Sequence, residues 1–363
     1  MKSRLVFGWF ALATLATACG GKSPTGPPGP GETHAVTAVA FYDEDGSGRL
    51  EAGEDSRLGG VTVSIAGRTA RTENVTGRAV VNGVPAGAQT AELRGLLAFF
   101  RPGAPVTVNV PATGELLLAA TLPIGGNRPH TYMAFGDSIT VGEGSRNSQG
   151  YTVPLERALR GFFGKATILN EGQSGTRSSA GASRIGGTLR RHRPAYTLIM
   201  YGTNDWNECG NAVPCYTIDS LRRIVEKTKS ATSLPVLATI LPANPAFGAE
   251  ARNSWVTKMN ELVRDLAQEQ DALLVDVDAA FRRQPDLRQL FEDHIHPNDR
   301  GYAIMAEEFF KAITQPSDSS TAFSADFGGF EIAPADEPLA VEAAPGGSAL
   351  AAPGERSRPI RGE

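Results

Sequence analysis

Cysteine is scarce in this chain, charge is nearly balanced, and histidine occurs only 5 times. Three cysteines in 363 residues are too few for a disulfide framework. With 35 Lys+Arg against 39 Asp+Glu the formal net charge is −4, so nothing electrostatic points to nucleic acid as a partner. No Cys/His cluster has metal-ligand spacing, which argues against a metallohydrolase and against any cofactor for catalysis. The first apolar run, Leu5 to Ala16, is too short to cross a bilayer, which takes about 20 residues. The length allows about two domains.

What is present begins with an export pattern. Residues 1–18 read as a signal peptide: Lys2 and Arg4, the apolar run, then Ala16-Thr17-Ala18-Cys19. Cys19 stands where a bacterial lipoprotein carries its lipidated first residue, which would tether the protein to the membrane of the cell envelope. Ala16 departs from the leucine commonest in that motif, and ordinary cleavage after Ala18 would instead leave a secreted protein with a stray thiol. Residues 19–35 form a Gly/Pro/Ser-rich linker with no core of its own.

From 36 to 122, Val, Thr and Ala alternate in short runs: Val36–Phe41, Val61–Ile65, Val106–Val110 and Leu116–Leu122. Gly, Pro and Asn separate them, the pattern of a small β-sandwich. Between the first two runs, Asp43, Asp45, Ser47, Glu51 and Glu54 set oxygen side chains at calcium-loop spacing, with Gly48 at the turn position. No amphipathic helix precedes the loop, which removes an EF-hand. An acidic, solvated hairpin without metal fits the same residues. The segment resembles the calcium-binding B-type repeats of bacterial surface proteins, which implies a spacer or accessory binding module.

From 130 to 314, apolar runs at Thr131–Phe135, Ala166–Asn170, Tyr196–Met200, Val236–Ile240 and Leu273–Asp276 alternate with helix-length segments. Trp255, Met259, Leu262, Val263 and Leu266 recur at helical spacing, and Leu221, Ile224, Val225 and Thr228 do so more weakly. Continuous apolar strands between helices predict an α/β domain whose parallel sheet is covered on both faces. Residues 315–363, rich in Ser, Asp, Gly, Ala and Pro, read as a disordered tail.

Chemistry concentrates at three places in that domain. Ser138 follows the first apolar run, Gly202-Thr203-Asn204-Asp205 follows the third, and Asp293-His294-Ile295-His296-Pro297 lies near the end. A serine hydroxyl needs a base to remove its proton, and the base needs an orienting group. Asp293 and His296, three apart before a helix starting near Asn298, suit those roles; His294 is the alternative base. Asp205 reads as a local hydrogen-bonder. Cys209 and Cys215, in one loop of an exported chain, are expected to pair and to stiffen the wall around Trp206 and Asn207. Gly136-Asp137-Ser138-Ile139-Thr140 lacks the second glycine of the α/β-hydrolase elbow.

With Gly-Asp-Ser first, Asn170-Glu171-Gly172 after the second strand, Gly202-x-Asn204-Asp205 after the third and Asp293-x-x-His296 last, the chain resembles the SGNH (GDSL-type) hydrolases. The resemblance spans essentially all of 130–314 and implies a three-layer α/β/α, flavodoxin-like fold. It implies Ser138 as nucleophile, His296 as base and Asp293 as orienter, with Ser138, Gly172 and Asn204 forming the oxyanion hole. Ester substrates that fit include acetylated polysaccharides, lipids and other small molecules. Lipase, lysophospholipase or thioesterase action competes with deacetylation, and an inactive envelope binding protein is the rival from another class. A monomer is expected.

Overall fold

The computed structural model of the protein describes residues 31–316. The expected signal peptide, Cys19, most of the linker and nearly all of the tail therefore lie outside the described residues.

The first eight strands are β1 (Thr33–Tyr42), β2 (Thr62–Ile65), β3 (Arg68–Arg71), β4 (Arg78–Pro85), β5 (Gly87–Arg94), β6 (Arg101–Pro102), β7 (Val106–Val110) and β8 (Leu116–Thr121). They form two four-stranded sheets, ordered β4-β1-β8-β6 and β3-β2-β5-β7. Period-two patterning decides which side chains turn inward. In β4, Val81 is fully buried while its neighbour Val80 is 45% exposed. Val36, Ala38, Ala40 and Tyr42 of β1 meet Val63 and Ile65 of β2 and Ala91 and Leu93 of β5 in one core. The pairing is antiparallel except between β1 and β8, which run parallel.

The second half carries β9 (Arg128–Gly136), β10 (Thr167–Gly172), β11 (Pro194–Met200), β12 (Leu234–Ala238) and β13 (Leu273–Val275). All pair in parallel, in the order β10-β9-β11-β12-β13. The helices are α1 (Ser138–Val141), α2 (Thr152–Phe163), α3 (Ser178–His192), α4 (Trp206–Cys209), α5 (Tyr216–Ser230), α6 (Glu250–Glu269), α7 (Val277–Arg282) and α8 (Asp299–Thr314). Alternate residues of one strand serve opposite faces. Tyr132 and Ala134 share a core with Leu155 and Leu159 of α2 and Met305 and Phe309 of α8. Met133 and Phe135 share another with Ile185 of α3, Ile224 of α5 and Val263 of α6. Both faces being covered is why β9, β11 and β12 read as unbroken apolar runs. The α/β architecture expected from the sequence is the one observed.

The strand order reverses at β9, which lies between β10 and β11. In doubly wound sheets the crevice beyond the carboxyl ends at such a reversal is where ligands bind. The sandwich attaches at the other end. Tyr42, Phe99 and Phe100 face His130 at the start of β9, Phe163 at the end of α2 and Tyr196 near the start of β11. Ser56 donates to the Phe163 carbonyl at 2.6 Å and lies 3.2 Å from His130 Nε2. Six residues of extended chain, about 20 Å, separate this seam from Gly136.

Candidate active site

β9 ends at Gly136, level with Gly172 of β10 and Met200 of β11. The next residue, Asp137, caps α1 through its carboxylate, which accepts from the Ile139 N–H at 3.0 Å. Ser138 is thus the first helical residue rather than the cap. Its N–H has no partner among the described residues, as befits a first-turn amide. The side chain is 3% exposed.

The 292–296 loop supplies the opposite wall. Its amides are gathered by one carboxylate: Asp293 Oδ1 accepts from the N–H groups of Ile295 (2.8 Å) and His296 (2.7 Å). Asp293 Oδ2 lies 2.7 Å from His296 Nδ1, and His296 Nε2 lies 2.9 Å from Ser138 Oγ. A carboxylate on Nδ1 keeps the proton there and leaves Nε2 free to accept from the serine. Partial burial would push the Asp293 carboxyl up; hydrogen bonds from the His296 ring and the two amides outweigh it and hold the group below its usual range. Asn244 braces the loop from outside, donating its side chain to the Asp293 carbonyl (3.0 Å) and its N–H to the His294 carbonyl (2.9 Å). His294 stays outside the relay, its side chain 59% exposed and its Nδ1 3.8 Å from Asp293.

The expected donor Gly172 is otherwise engaged. Its N–H donates to Asn170 Oδ1 at 2.9 Å, while Asn170 Nδ2 donates to the Thr140 carbonyl at 2.8 Å. Gly172 is needed instead for close approach, because a side chain there would run into the Val141 backbone. The assignment to the oxyanion hole is corrected on this ground. The free amide lies in the following turn, closed by Thr176 N–H on the Gln173 carbonyl (3.3 Å). There Gly175 has φ +71° and an N–H without a partner among the described residues. Asn204 touches the same turn, its Nδ2 donating to the Thr176 carbonyl at 3.0 Å, which leaves its second amide hydrogen available.

Two acids lie buried behind these groups. Asp205, fully buried, accepts the first N–H of α3 from Ser178 at 3.0 Å, the structural role expected of it. Burial pushes the Asp137 carboxyl up to about 7; the Ile139 N–H opposes the rise, Asp205 adds to it, and His296 opposes it. One contact had no forecast from the sequence: Glu143 Oε2 lies 3.3 Å from His296 Nε2. Asn244 was also missed, although Asn244-Pro245 after the fourth apolar run is a turn signal.

Of the five expected calcium ligands, Asp43, Asp45 and Glu54 bring carboxylate oxygens within 4.8 Å of one another. Glu51 is not among them, and the Ser47 hydroxyl donates to the Arg49 carbonyl and accepts from the Arg49 N–H. Cys209 and Cys215 form a disulfide with Cα atoms 6.0 Å apart. Beside it, Trp206 and Trp255 pack at 5.7 Å between ring centres.

Comparison with known proteins follows the same boundary. A family model described as "GDSL-like Lipase/Acylhydrolase family" matches residues 134–304. Thioesterase 1/protease 1/lysophospholipase L1 of Escherichia coli (strain K12) is 27% identical over 186 residues, 50% of this chain and 83% of that protein. Among solved structures, LAE5, an alpha/beta hydrolase enzyme from the metagenome of Lake Arreo, Spain, is 26% identical. The match covers 52% of this chain and 96% of that one, with a TM-score of 0.44. Axe2, an acetylxylan esterase from Geobacillus stearothermophilus, is 22% identical, covering 52% and 95%, also at 0.44.

The buried acid behind the serine has a measurable consequence. An unfolded chain gives Asp137 a value near 4, so between about 4 and about 7 the folded protein holds a proton that the unfolded chain releases. Its contribution to stability is fully present below about pH 4 and is lost as pH rises to about 7. Asp137→Asn retains an oxygen for the Ile139 N–H and does not titrate. Wild-type melting temperature is therefore expected to fall relative to this variant across that window; a difference independent of pH contradicts it.

Proposed function

We propose that this chain, whose residues 134–304 form a domain of the GDSL-like lipase/acylhydrolase family, hydrolyses carboxylic esters through an acyl-enzyme on Ser138. The observation that carries this reading is the unbroken relay of 2.9 and 2.7 Å contacts from Ser138 through His296 to Asp293. Ser138 Oγ attacks the ester carbonyl as His296 Nε2 takes its proton. The imidazolium formed is stabilised by Asp293. The oxyanion collects hydrogen bonds from the Ser138 N–H, the Gly175 N–H and the Asn204 side-chain amide. His296 then hands its proton to the leaving alcohol, and water, activated by the same nitrogen, releases the acid. Every proton moves between the chain's own groups, substrate and water.

Short acyl esters on carbohydrate are the substrate class favoured by the rim, where Glu143 and Ser174 offer hydrogen-bonding groups to sugar hydroxyls. A second reading, esters or thioesters of longer acyl chains, is supported by Phe247. That ring is 62% exposed and lies 6.4 Å from the His294 ring, beside the relay.

Export and tethering at Cys19 belong to the same proposal, supported by the 1–19 pattern and by a disulfide, which persists in oxidising compartments. Calcium at Asp43, Asp45 and Glu54 is proposed as well, since an all-oxygen carboxylate set suits a hard cation. It would brace the loop that reaches the second domain, where Glu44 Oε1 lies 3.0 Å from His130 Nε2.

Three measurements test these statements. Asn204→Ala is expected to cut turnover of p-nitrophenyl acetate roughly 100-fold or more with the melting temperature retained, and Ser138→Ala to abolish it; equal rates in Ser138→Ala and wild type would remove the esterase reading. Replacing Cys19 with Ala should shift the exported protein from the membrane fraction to the soluble one, and an unchanged distribution refutes the anchor. Millimolar calcium should raise the melting temperature of wild type but not of Asp43→Asn; no rise in wild type leaves the loop metal-free.

A further inference from the structure

We propose that Glu143 makes the site select against anionic esters, so that the substrate is a neutral or cationic acyl ester; this rests on the Ser138 esterase reading. The position of Glu143 is set by the fold. Its N–H donates to the Ser138 carbonyl at 3.1 Å, and its own carbonyl accepts from Tyr302 Oη at 2.6 Å. The nucleophile's helix and α8 thus both hold the backbone. The side chain turns back over the site, where one carboxylate oxygen accepts from the Ser174 hydroxyl and the other lies 3.3 Å from His296 Nε2. That nitrogen is the one 2.9 Å from Ser138 Oγ.

A reacting carbonyl must come within about 3–3.5 Å of the nucleophile, so the groups flanking it enter the field of this carboxylate. Among the described residues no lysine or arginine lies within ion-pair distance of Glu143 to cancel its charge. The side chain is 40% exposed, so the field is screened by salt but not abolished. An anionic group next to the ester is repelled, whereas a hydroxyl there can donate to the carboxylate. The acid released by hydrolysis is itself an anion at neutral pH, so the same charge that filters substrates drives the product out.

The test uses the full chain and a matched pair of acetyl esters, meta-acetoxybenzoate and its neutral methyl ester, with acetate release as the readout. Glu143→Gln keeps an oxygen for Ser174 and removes the charge. The ratio of kcat/KM for the anionic over the neutral ester is expected to rise roughly fivefold in this variant, the scale of one charge pair several Å apart in a half-wet site. In wild type that ratio should also climb with added salt, and in Glu143→Gln it should not. If the residue merely props His296, both esters slow together and the ratio stays fixed, which overturns the charge filter alone. Hydrolysis of the neutral ester that does not need Ser138 overturns the filter and the esterase reading together.

Discussion

The Ser138–His296 hydrogen bond joins residues 158 positions apart, and it is too weak to bring them together. Such a bond contributes about 1 kcal/mol net, far less than the entropy of ordering the loops on either side. The geometry must therefore be delivered by the cores. β9 carries Ser138 to the sheet's carboxyl end because its residues pack on both faces. α8 carries His296 there because Met305 and Phe309 pack beside α2, and because Asn298 caps it through the Arg300 and Gly301 amides. Asp293 then performs two tasks with one carboxylate, fixing the loop with Oδ1 and the ring with Oδ2.

The imidazole stands between two carboxylates. Asp293 Oδ2 lies 2.7 Å from Nδ1 and Glu143 Oε2 lies 3.3 Å from Nε2. Were Asp137 and Asp205 both ionised as well, two buried charges would stand against each other at considerable cost. Burial resolves this by raising Asp137 towards neutrality.

Much of this was legible in the sequence, for identifiable reasons. Strands β9, β11 and β12 announce themselves as apolar runs because both of their faces are covered, whereas the edge strand β10 is only partly buried. Strands β3, β4, β5 and β6 did not: Arg68-Thr69-Ala70-Arg71 and Gly87–Arg94 carry few large apolar residues, Asn82-Gly83 interrupts β4, and β6 is two residues long. Ser138, Asn204, Asp293 and His296 were legible because the blocks that hold them resemble those of the SGNH hydrolases; the structure joins Ser138, His296 and Asp293 in one chain of contacts and sets Asn204 against the turn that carries Gly175. Gly172 misled. The choice between two glycines in Asn170-Glu171-Gly172-Gln173-Ser174-Gly175 depends on which amide Asn170 engages, a matter of side-chain geometry that spacing does not carry. Glu143 was invisible for a related reason: its meaning comes from Ser174 and His296, residues distant in the chain.

The two ends of β9 divide the labour of the molecule. At its start, His130 sits in the seam with Ser56, Glu44, Tyr42 and Phe163; at its end, Gly136 leads into Ser138. With about 20 Å of rigid strand between them, the sandwich cannot line the crevice or touch a small ester bound there. The sandwich is joined to the α/β domain by the packed rings of Tyr42, Phe100, His130 and Phe163.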